Sequence, residues 1–373
     1  MRATLFYTLL IIGFCLRLLL VYIAPQPDIF DQKEYHQYAR GILTLNSYDL
    51  GVSSYRTYGY PLVLAVIYHF VGIENRWGWI IFQAVLDTVS ALLVFGIAQK
   101  IFRSIVPAWI AYLLYLFNPF TSAYVGVRLT EVLTTFVIAL IFFLFITFWQ
   151  KRNIFILFAL GFILGYLPFI RPGFFLFSIV INLWLIYLVG RFMLGVFSKS
   201  LKIIIIAIFI VLFILPGAYN SARNLAYFGQ LTPLTVHNNF VKDFYLSLII
   251  NNQDIGLITN EYIWVYQEFF KPENKEERQA MSDKYWSLAI AKIKQNPTIF
   301  VLSRIRQIFS VWEKHGVFLY NDPIFYRYLI YVYWGNVVLL SLSFNGLYLW
   351  LREVRRNKKS IEFKWFGYFV FFL

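Results

Sequence analysis

Long apolar runs alternate with short basic segments along most of the 373-residue chain. Several of these runs approach or exceed the roughly 18 residues that a helix needs to cross a bilayer. The pattern therefore predicts an all-α protein, a polytopic bundle of transmembrane helices. The predicted spans, with boundaries that carry an error of several residues, lie near 4–23, 77–99, 105–120, 127–149, 154–170, 173–190, 203–217, 330–350 and 362–373.

One further apolar run, at residues 61–72, is too short to be counted as a span. As a helix it would be roughly 18 Å long, well short of the bilayer core. If it crossed the membrane, the basic pairs at 100–103 and 151–152 would move to the side opposite the other basic segments. We therefore predict a juxtamembrane or re-entrant helix on the outer face.

The first run, residues 4–23, is too long for a signal-peptide core and lacks a small-residue cleavage site before Pro25. It is therefore predicted to remain as the first helix. Cys15, the single cysteine of the sequence, lies inside it. No intrachain disulfide or cysteine-based metal site is expected.

The formal net charge of +14 is distributed unevenly along the chain. Fourteen basic residues and two acidic ones, Glu353 and Glu362, lie at the ends of apolar runs on one predicted side, which accounts for +12 of the +14. This asymmetry is typical of cytoplasmic loops and explains the basic composition without nucleic acid. The fourteen are Arg2, Lys100, Arg103, Lys151, Arg152, Arg191, Lys199, Lys202, Arg352, Arg355, Arg356, Lys358, Lys359 and Lys364.

This topology divides the chain into three parts. Residues 1–219 form a transmembrane module that includes the outer loop 24–76, residues 220–328 an outer-face helical segment, and residues 329–373 the C-terminal transmembrane helices. Within the second part, residues 275–295 place Met281, Tyr285, Leu288, Ala289 and Ile293 on one helical stripe.

The outer loop 24–76 carries the most distinctive polar pattern. Asp31, Glu34, Tyr35 and Tyr38 follow one another at helical spacing and would share one face of a short helix. That face is too polar to be a core stripe. The loop ends in Arg56 and the tripeptide Gly59-Tyr60-Pro61.

The order of these short motifs resembles the GT-C membrane glycosyltransferases. The likeness is to the polyprenyl- or dolichyl-phosphate-mannose protein mannosyltransferases, glycosyltransferase family 39, and to the lipid A aminoarabinose transferases. It extends from the first helix to about residue 313, and it differs from the latter enzymes in lacking their Lys-Pro-Pro element. The motifs are Asp31 with Tyr35 and Ala39, Asn118-Pro119, Tyr124 with Thr130-Glu131, Arg171-Pro172 and Arg223-Asn224.

The resemblance implies an enzyme, a hexosyl- or pentosyltransferase, that moves a sugar from a polyprenyl phosphate to an outward-facing acceptor in a single inverting displacement. It makes Asp31 the base and gives Glu131 a supporting role. Simpler structural roles also account for these two acids: Asp31 would cap a short helix, and Glu131 would suit a helix N-terminus. Asp28 is a nearby competitor for the role of the base. Residues expected to bind substrate are Tyr35, Arg56, Tyr60, Arg128, Arg171, Arg223 and Asn224.

Two ionisable residues lie inside predicted spans. Arg17 and Asp87 are at similar depths from the outer ends of spans one and two. Because unpaired charges are costly within a bilayer, we predict a structural ion pair between them.

Other classes of function remain open. A lipid-linked saccharide flippase would concentrate its functional charges near the bilayer midplane, whereas a glycan polymerase would share the outer-face location. No certain cofactor is predicted, although two acids are compatible with magnesium or manganese. Expected partners are the lipid-linked donor, membrane lipids and a glycan, lipid or protein acceptor, with no nucleic acid. The expected location is a bacterial inner membrane, with the site on its periplasmic or extracellular face.

Overall fold

The structure, a computed structural model, describes residues 2–44, 56–192, 198–228, 231–235, 240–250, 260–268, 275–310 and 329–356. Most of these residues are helical, and there is no strand among them. The helices are α1 (Arg2–Ile23), α2 (Asp31–Thr44), α3 (Gly59–Val71), α4 (Arg76–Phe102), α5 (Ile105–Leu116), α6 (Pro119–Ala123), α7 (Glu131–Lys151), α8 (Ile154–Ile170), α9 (Phe175–Phe192), α10 (Lys199–Phe228), α11 (Phe240–Ile250), α12 (Asn260–Glu268), α13 (Lys275–Gln295), α14 (Pro297–Ser310) and α15 (Leu329–Arg356).

Two helices form the centre of the bundle. Helix α4 packs against α1, α5 and α7, and helix α8 packs against α3, α7, α9 and α10. Close approach of α8 to α10 depends on glycine, because a side chain at Gly165 would collide with the backbone of Phe213. Helix α7 contacts both central helices and so joins the two groups.

Six described segments are long and apolar enough to span a membrane, which indicates an integral membrane protein; six of the predicted spans coincide with them. The predicted spans 154–170 and 330–350 coincide with helices α8 and α15, but their crossing of the membrane stays a prediction. The predicted span 362–373 lies outside the described residues. The six are Thr4–Ile23, Arg76–Phe102, Ile105–Gly126, Glu131–Lys151, Pro172–Arg191 and Ser200–Ala226.

The chain separates into two compact units, residues 1–288 and 289–373. The first contains the candidate site, and the second contains helices α14 and α15. Helix α13 has the predicted bounds, and Tyr285 and Ala289 of its predicted stripe are buried. The three-part division of the chain stays a prediction.

The short apolar run forms helix α3, which has 13 residues and begins two residues earlier than predicted. It ends at Gly72, whose φ of +90° is costly for any residue with a Cβ. One face packs on α2 and α8, whereas Val66 and Phe70 are exposed. A helix this short covers only about 20 Å, which favours a juxtamembrane position.

Cysteine labelling tests whether α3 crosses the membrane. We expect Lys33→Cys and Glu74→Cys, on either side of α3, to react with a membrane-impermeant maleimide from the same side in a Cys15→Ser background. Lys151→Cys, at a predicted cytoplasmic end, serves as the control and should react only after permeabilisation. Lys33, Glu74 and Lys151 are all exposed, and the background removes Cys15, which is exposed as well. Labelling of positions 33 and 74 from opposite sides would show that α3 spans the bilayer.

The predicted ion pair inside the bundle is confirmed. Arg17 Nε lies 2.7 Å from Asp87 Oδ2, and both side chains are buried. Arg17 Nη1 also donates to the carbonyl oxygens of Gly13 and Leu116, each at 2.9 Å. Tyr115 donates its hydroxyl hydrogen to Asp87 Oδ1 at 2.7 Å. The pair thus joins α1, α4 and α5.

Candidate functional site

The polar face of helix α2 converges on Arg56. Arg56 Nη2 lies 2.6 Å from Asp31 Oδ1, and Arg56 Nε lies 2.8 Å from Glu34 Oε2. The backbone amide of Arg56 donates to the Tyr38 hydroxyl at 3.3 Å. Helical spacing brings the two acids to one side of α2, and one guanidinium bridges them.

The backbone just before Asp31 is strained. Phe30 has a φ of +49°, in the left-handed region that bulky residues rarely adopt. The Phe30 carbonyl accepts hydrogen bonds from the amides of Lys33 and Glu34, so Phe30 occupies the N-cap position of α2. Asp31 is the first residue of the helix, and its carboxylate binds Arg56. Strain of this kind is common where a side chain must be held in a fixed direction.

Tyr35 lies at the centre of this group. Its ring receives the Arg56 guanidinium on one face, with Cζ 5.4 Å from the centroid, and meets Tyr60 edge-on at 5.0 Å. Burial raises the pKa of Tyr35 to about 12, although the nearby charge of Arg56 opposes the rise. The charges of Glu131 and Arg171 also act on the pKa of Tyr35. Tyr35 therefore remains a neutral phenol between two charged groups.

The electrostatic setting of Arg56 favours its charged form. Burial by itself would lower the pKa of Arg56, but Tyr35, Glu34 and Asp31 raise it above the ordinary value. The guanidinium is thus a fixed positive charge. About a fifth of the Arg56 side chain (22%) remains exposed. An anion that approaches the α2 face meets this charge.

A second ion pair completes the site. Glu131 is the first residue of α7, and Arg171 follows the last residue of α8. Arg171 Nη1 donates to Glu131 Oε1 at 3.1 Å. The other carboxylate oxygen of Glu131 is buried and has no hydrogen-bond partner. Asp31, Arg56, Glu131 and Arg171 thus all lie within electrostatic range of the buried Tyr35 ring.

Tyr60 packs against the Tyr35 ring and is itself held by hydrogen bonds. It is buried, and its hydroxyl donates to Gln83 Oε1 at 3.1 Å. Gln83 Nε2 donates in turn to the carbonyls of Val125 and Val127, both at 2.9 Å. Burial raises the pKa of Tyr60 well above its ordinary value. Gln83 was not among the predicted site residues, although a glutamine within an apolar span often has a specific structural or functional role.

Arg128 ties the second outer loop to the first. Its backbone amide donates to Gln32 Oε1 at 2.7 Å, and its Nη1 donates to Asp28 Oδ2 at 3.1 Å. The guanidinium lies over the Trp79 ring with Cζ 5.1 Å from the centroid. Arg128 is buried and bound to Asp28, apart from the Asp31–Arg56 pair. Its predicted contact with substrate stays a prediction.

The last predicted motif, Arg223-Asn224, lies on helix α10. Asn224 is buried, and its amide donates to the carbonyls of Thr232 and Leu234 at 2.8 and 2.7 Å. Asn220, one turn earlier, binds the same loop through Pro233 and Leu234. Asn224 thus holds the segment after α10, and the predicted substrate contacts of Arg223 and Asn224 stay predictions.

A buried lysine was not predicted. Lys242 on α11 is almost fully buried, with Nζ 3.5 Å from Asp243 Oδ1. Burial lowers the pKa of Lys242, and the positive charge of Arg56 lowers it further. Lys242 is therefore a second cation within electrostatic range of the α2 face. Its signal in the sequence is a single lysine within the apolar run of α11.

No group of three His, Cys, Asp or Glu side chains is placed to hold a metal ion in the described part of the chain. The acids of the site are paired with guanidinium groups: Asp31 and Glu34 share Arg56, and Glu131 binds Arg171. The divalent cation considered from the sequence stays untested.

Comparison of the chain with protein-family models, with characterised proteins and with solved structures finds no match.

Proposed function

We propose that this protein is an integral membrane glycosyltransferase of the GT-C type, which transfers a sugar from a polyprenyl phosphate to an acceptor at the membrane surface. The observation that carries the proposal is the grouping of three carboxylates and two guanidinium groups around Tyr35 at the end of an apolar bundle. A lipid-linked phosphosugar presents an apolar tail, an anionic phosphate and a hydroxylated ring. The site offers a counterpart to each of these parts.

The guanidinium groups account for the phosphate. Arg56 and Arg171 are each held on a carboxylate, and both side chains retain exposed surface. A phosphate presents bidentate acceptors that suit a guanidinium. When the donor phosphate binds Arg56, it competes with Asp31 and Glu34 for the same hydrogen-bond donors. Donor binding would thereby release Asp31 from its ion pair.

The released carboxylate accounts for proton transfer. In the displacement, the acceptor oxygen forms a bond to the anomeric carbon while the bond from that carbon to the phosphate oxygen breaks. The bonding pair leaves with the phosphate, and the acceptor proton passes to Asp31. A carboxylate is a weak base, so it acts late, by positioning the acceptor and taking its proton.

The order of elements also supports the GT-C type. A first apolar helix is followed by the short helices α2 and α3, and then by the long helix α4. The polar residues of α2 lie at the end of the bundle where α7 begins and α8 ends. The basic segments at the opposite ends support an outward-facing site. In a bacterial inner membrane this face would be periplasmic or extracellular.

The experiment that tests the function is sugar transfer by the purified protein in lipid nanodiscs. A panel of radiolabelled polyprenyl-phosphate monosaccharides is supplied with candidate acceptors, and wild type is compared with Asp31→Asn. We expect transfer by wild type and a loss of about a hundredfold in the variant, because the amide cannot take the acceptor proton. Donor affinity, measured separately by binding of labelled donor, should not fall, because the variant removes a charge that competes with the donor phosphate for Arg56.

Asp28→Asn is the matched comparison, since Asp28 lies in the same segment and pairs with Arg128. Retention of transfer in Asp28→Asn with loss in Asp31→Asn identifies the base. The reverse pattern would assign the base to Asp28. Folded protein that binds lipid-linked glycans but transfers no sugar from any donor would contradict the enzyme class and favour a flippase or a polymerase.

A further inference from the structure

An open cavity with a mixed apolar and charged lining lies beside helix α2. It has a volume of about 750 Å³ and is lined by the end of α2, the end of α3 and the turn at 72–75. At 100° per residue, Arg40 projects from α2 on the side away from Asp31 and Tyr35. The cavity is therefore separate from the candidate functional site.

The floor of this cavity is neutral. Tyr68 is buried, and its hydroxyl lies 3.0 Å from His36 Nδ1. Burial raises the pKa of Tyr68 to about 12. Burial, followed by the charge of Arg128, lowers the pKa of His36. Tyr68 lines the cavity together with the exposed residues Arg40, His69 and Glu74, so the other ionisable groups of the cavity lie at its rim.

Two opposite charges occupy that rim. Arg40 belongs to the α2 wall and Glu74 to the turn before α4, and both residues are exposed. Neither side chain forms an ion pair with any residue in the described ranges. Both residues belong to the lining of this one cavity. The cavity thus holds an unpaired cation and an unpaired anion on different walls.

The cavity lies at the level of a membrane surface. The turn at 72–75 immediately precedes Arg76, where the candidate span Arg76–Phe102 begins. Leu43, Val71 and Ile73 contribute apolar surface to the cavity itself. Apolar side chains in a cavity that also carries charges match the boundary between lipid tails and head groups.

We propose that this cavity binds a phospholipid whose head group carries both a phosphodiester and a primary ammonium, as in phosphatidylethanolamine. Arg40 would hold the phosphodiester, and Glu74 would accept hydrogen bonds from the ammonium. The first part of the acyl chains would lie along Leu43, Val71 and Ile73. A choline head group cannot donate these hydrogen bonds, and a glycerol head group lacks the positive charge.

Native mass spectrometry of the full-length protein tests this assignment. The protein is incubated with equal amounts of phosphatidylethanolamine, phosphatidylcholine and phosphatidylglycerol of identical acyl chains, and retained lipid is counted. We expect retention of the ethanolamine lipid about fivefold above the choline lipid, as each exposed charge contact contributes modestly. Glu74→Gln should abolish this preference, and Arg40→Gln should reduce retention of both ethanolamine and glycerol lipids.

The matched controls are Lys33→Gln and Glu276→Gln, which remove an exposed cation and an exposed acid outside the cavity lining. Both should behave as wild type. Equal retention of the ethanolamine and choline lipids by wild type would overturn the proposal. Equal retention of the glycerol and ethanolamine lipids, unchanged by Glu74→Gln, would also overturn the proposal. It would show that the cavity binds any phosphate-bearing lipid. Neither result depends on sugar transfer.

Discussion

Arg17→Met is expected to destabilise the protein by about 3–5 kcal/mol, the usual cost of removing one partner from a buried ion pair. Asp87 would keep its negative charge among apolar helices, with the Tyr115 hydroxyl as the remaining donor described for it. The carbonyls of Gly13 and Leu116 would lose their Arg17 hydrogen bonds as well. The measurement is thermal unfolding of the purified protein in detergent, together with its yield from membranes.

The double variant Arg17→Met/Asp87→Leu decides whether the pair is the cause. Because it removes both charges, we expect it to recover much of the loss seen in either single variant. Arg76→Met is the matched control, since Arg76 is an exposed arginine on the helix that carries Asp87. Losses that simply add in the double variant would exclude a coupled ion pair.

Gly59→Val is expected to have the second largest effect, a loss of stability of about 3 kcal/mol and a larger loss of site function. A Cβ at Gly59 would lie 2.4 Å from the backbone carbon and oxygen of Phe169. Backbone atoms cannot rotate away as a side chain can, so α3 would have to separate from α8. The Gly59 carbonyl would also lose its hydrogen bond from Tyr166, now 2.7 Å long.

Function of the site should be lost because its residues lie on both sides of the contact between Gly59 and Phe169. Arg56 and Tyr60 are close to Gly59 in the chain, and Arg171 follows the end of α8. Gly173→Val is the control, because Gly173 is next to the same helix end and has open space where its Cβ would lie. Thermal unfolding and binding of a labelled polyprenyl-phosphate sugar are measured for both variants. Equal behaviour of Gly59→Val and Gly173→Val would show that the close approach of α3 and α8 is unimportant.

Helix positions were the most predictable feature of this chain. Helices α8 and α13 have the bounds expected from the sequence, 154–170 and 275–295. The reasons are local: Asn153 begins α8 by accepting the amides of Phe155 and Ile156, and Pro172 follows its end. Apolar length, capping residues and proline act over a few residues, so they can be recognised without coordinates.

The candidate site was only partly predictable. Helical spacing correctly placed Asp31, Glu34 and Tyr35 on one face of α2. It could not show that Arg56 bridges both acids, because the path of residues 45–55 is not determined by periodicity. Nor could it distinguish Arg171, which pairs with Glu131, from Asn224, which binds its own loop. Residues with the same local pattern thus received different partners.

The sequence by itself determined that this is a membrane-spanning helical protein, that 61–72 forms a short helix, and that Arg17 and Asp87 pair. Apolar length and the cost of a charge in a bilayer are strong and independent of distant contacts. Three relations were decided only by the tertiary structure. The charges of Arg56 and Arg171 with their paired acids act on Tyr35, and the buried Lys242 lies within electrostatic range of Arg56. Arg40 and Glu74 line one cavity. These relations depend on how α2, α3, α7 and α8 pack, and packing joins residues far apart in the chain.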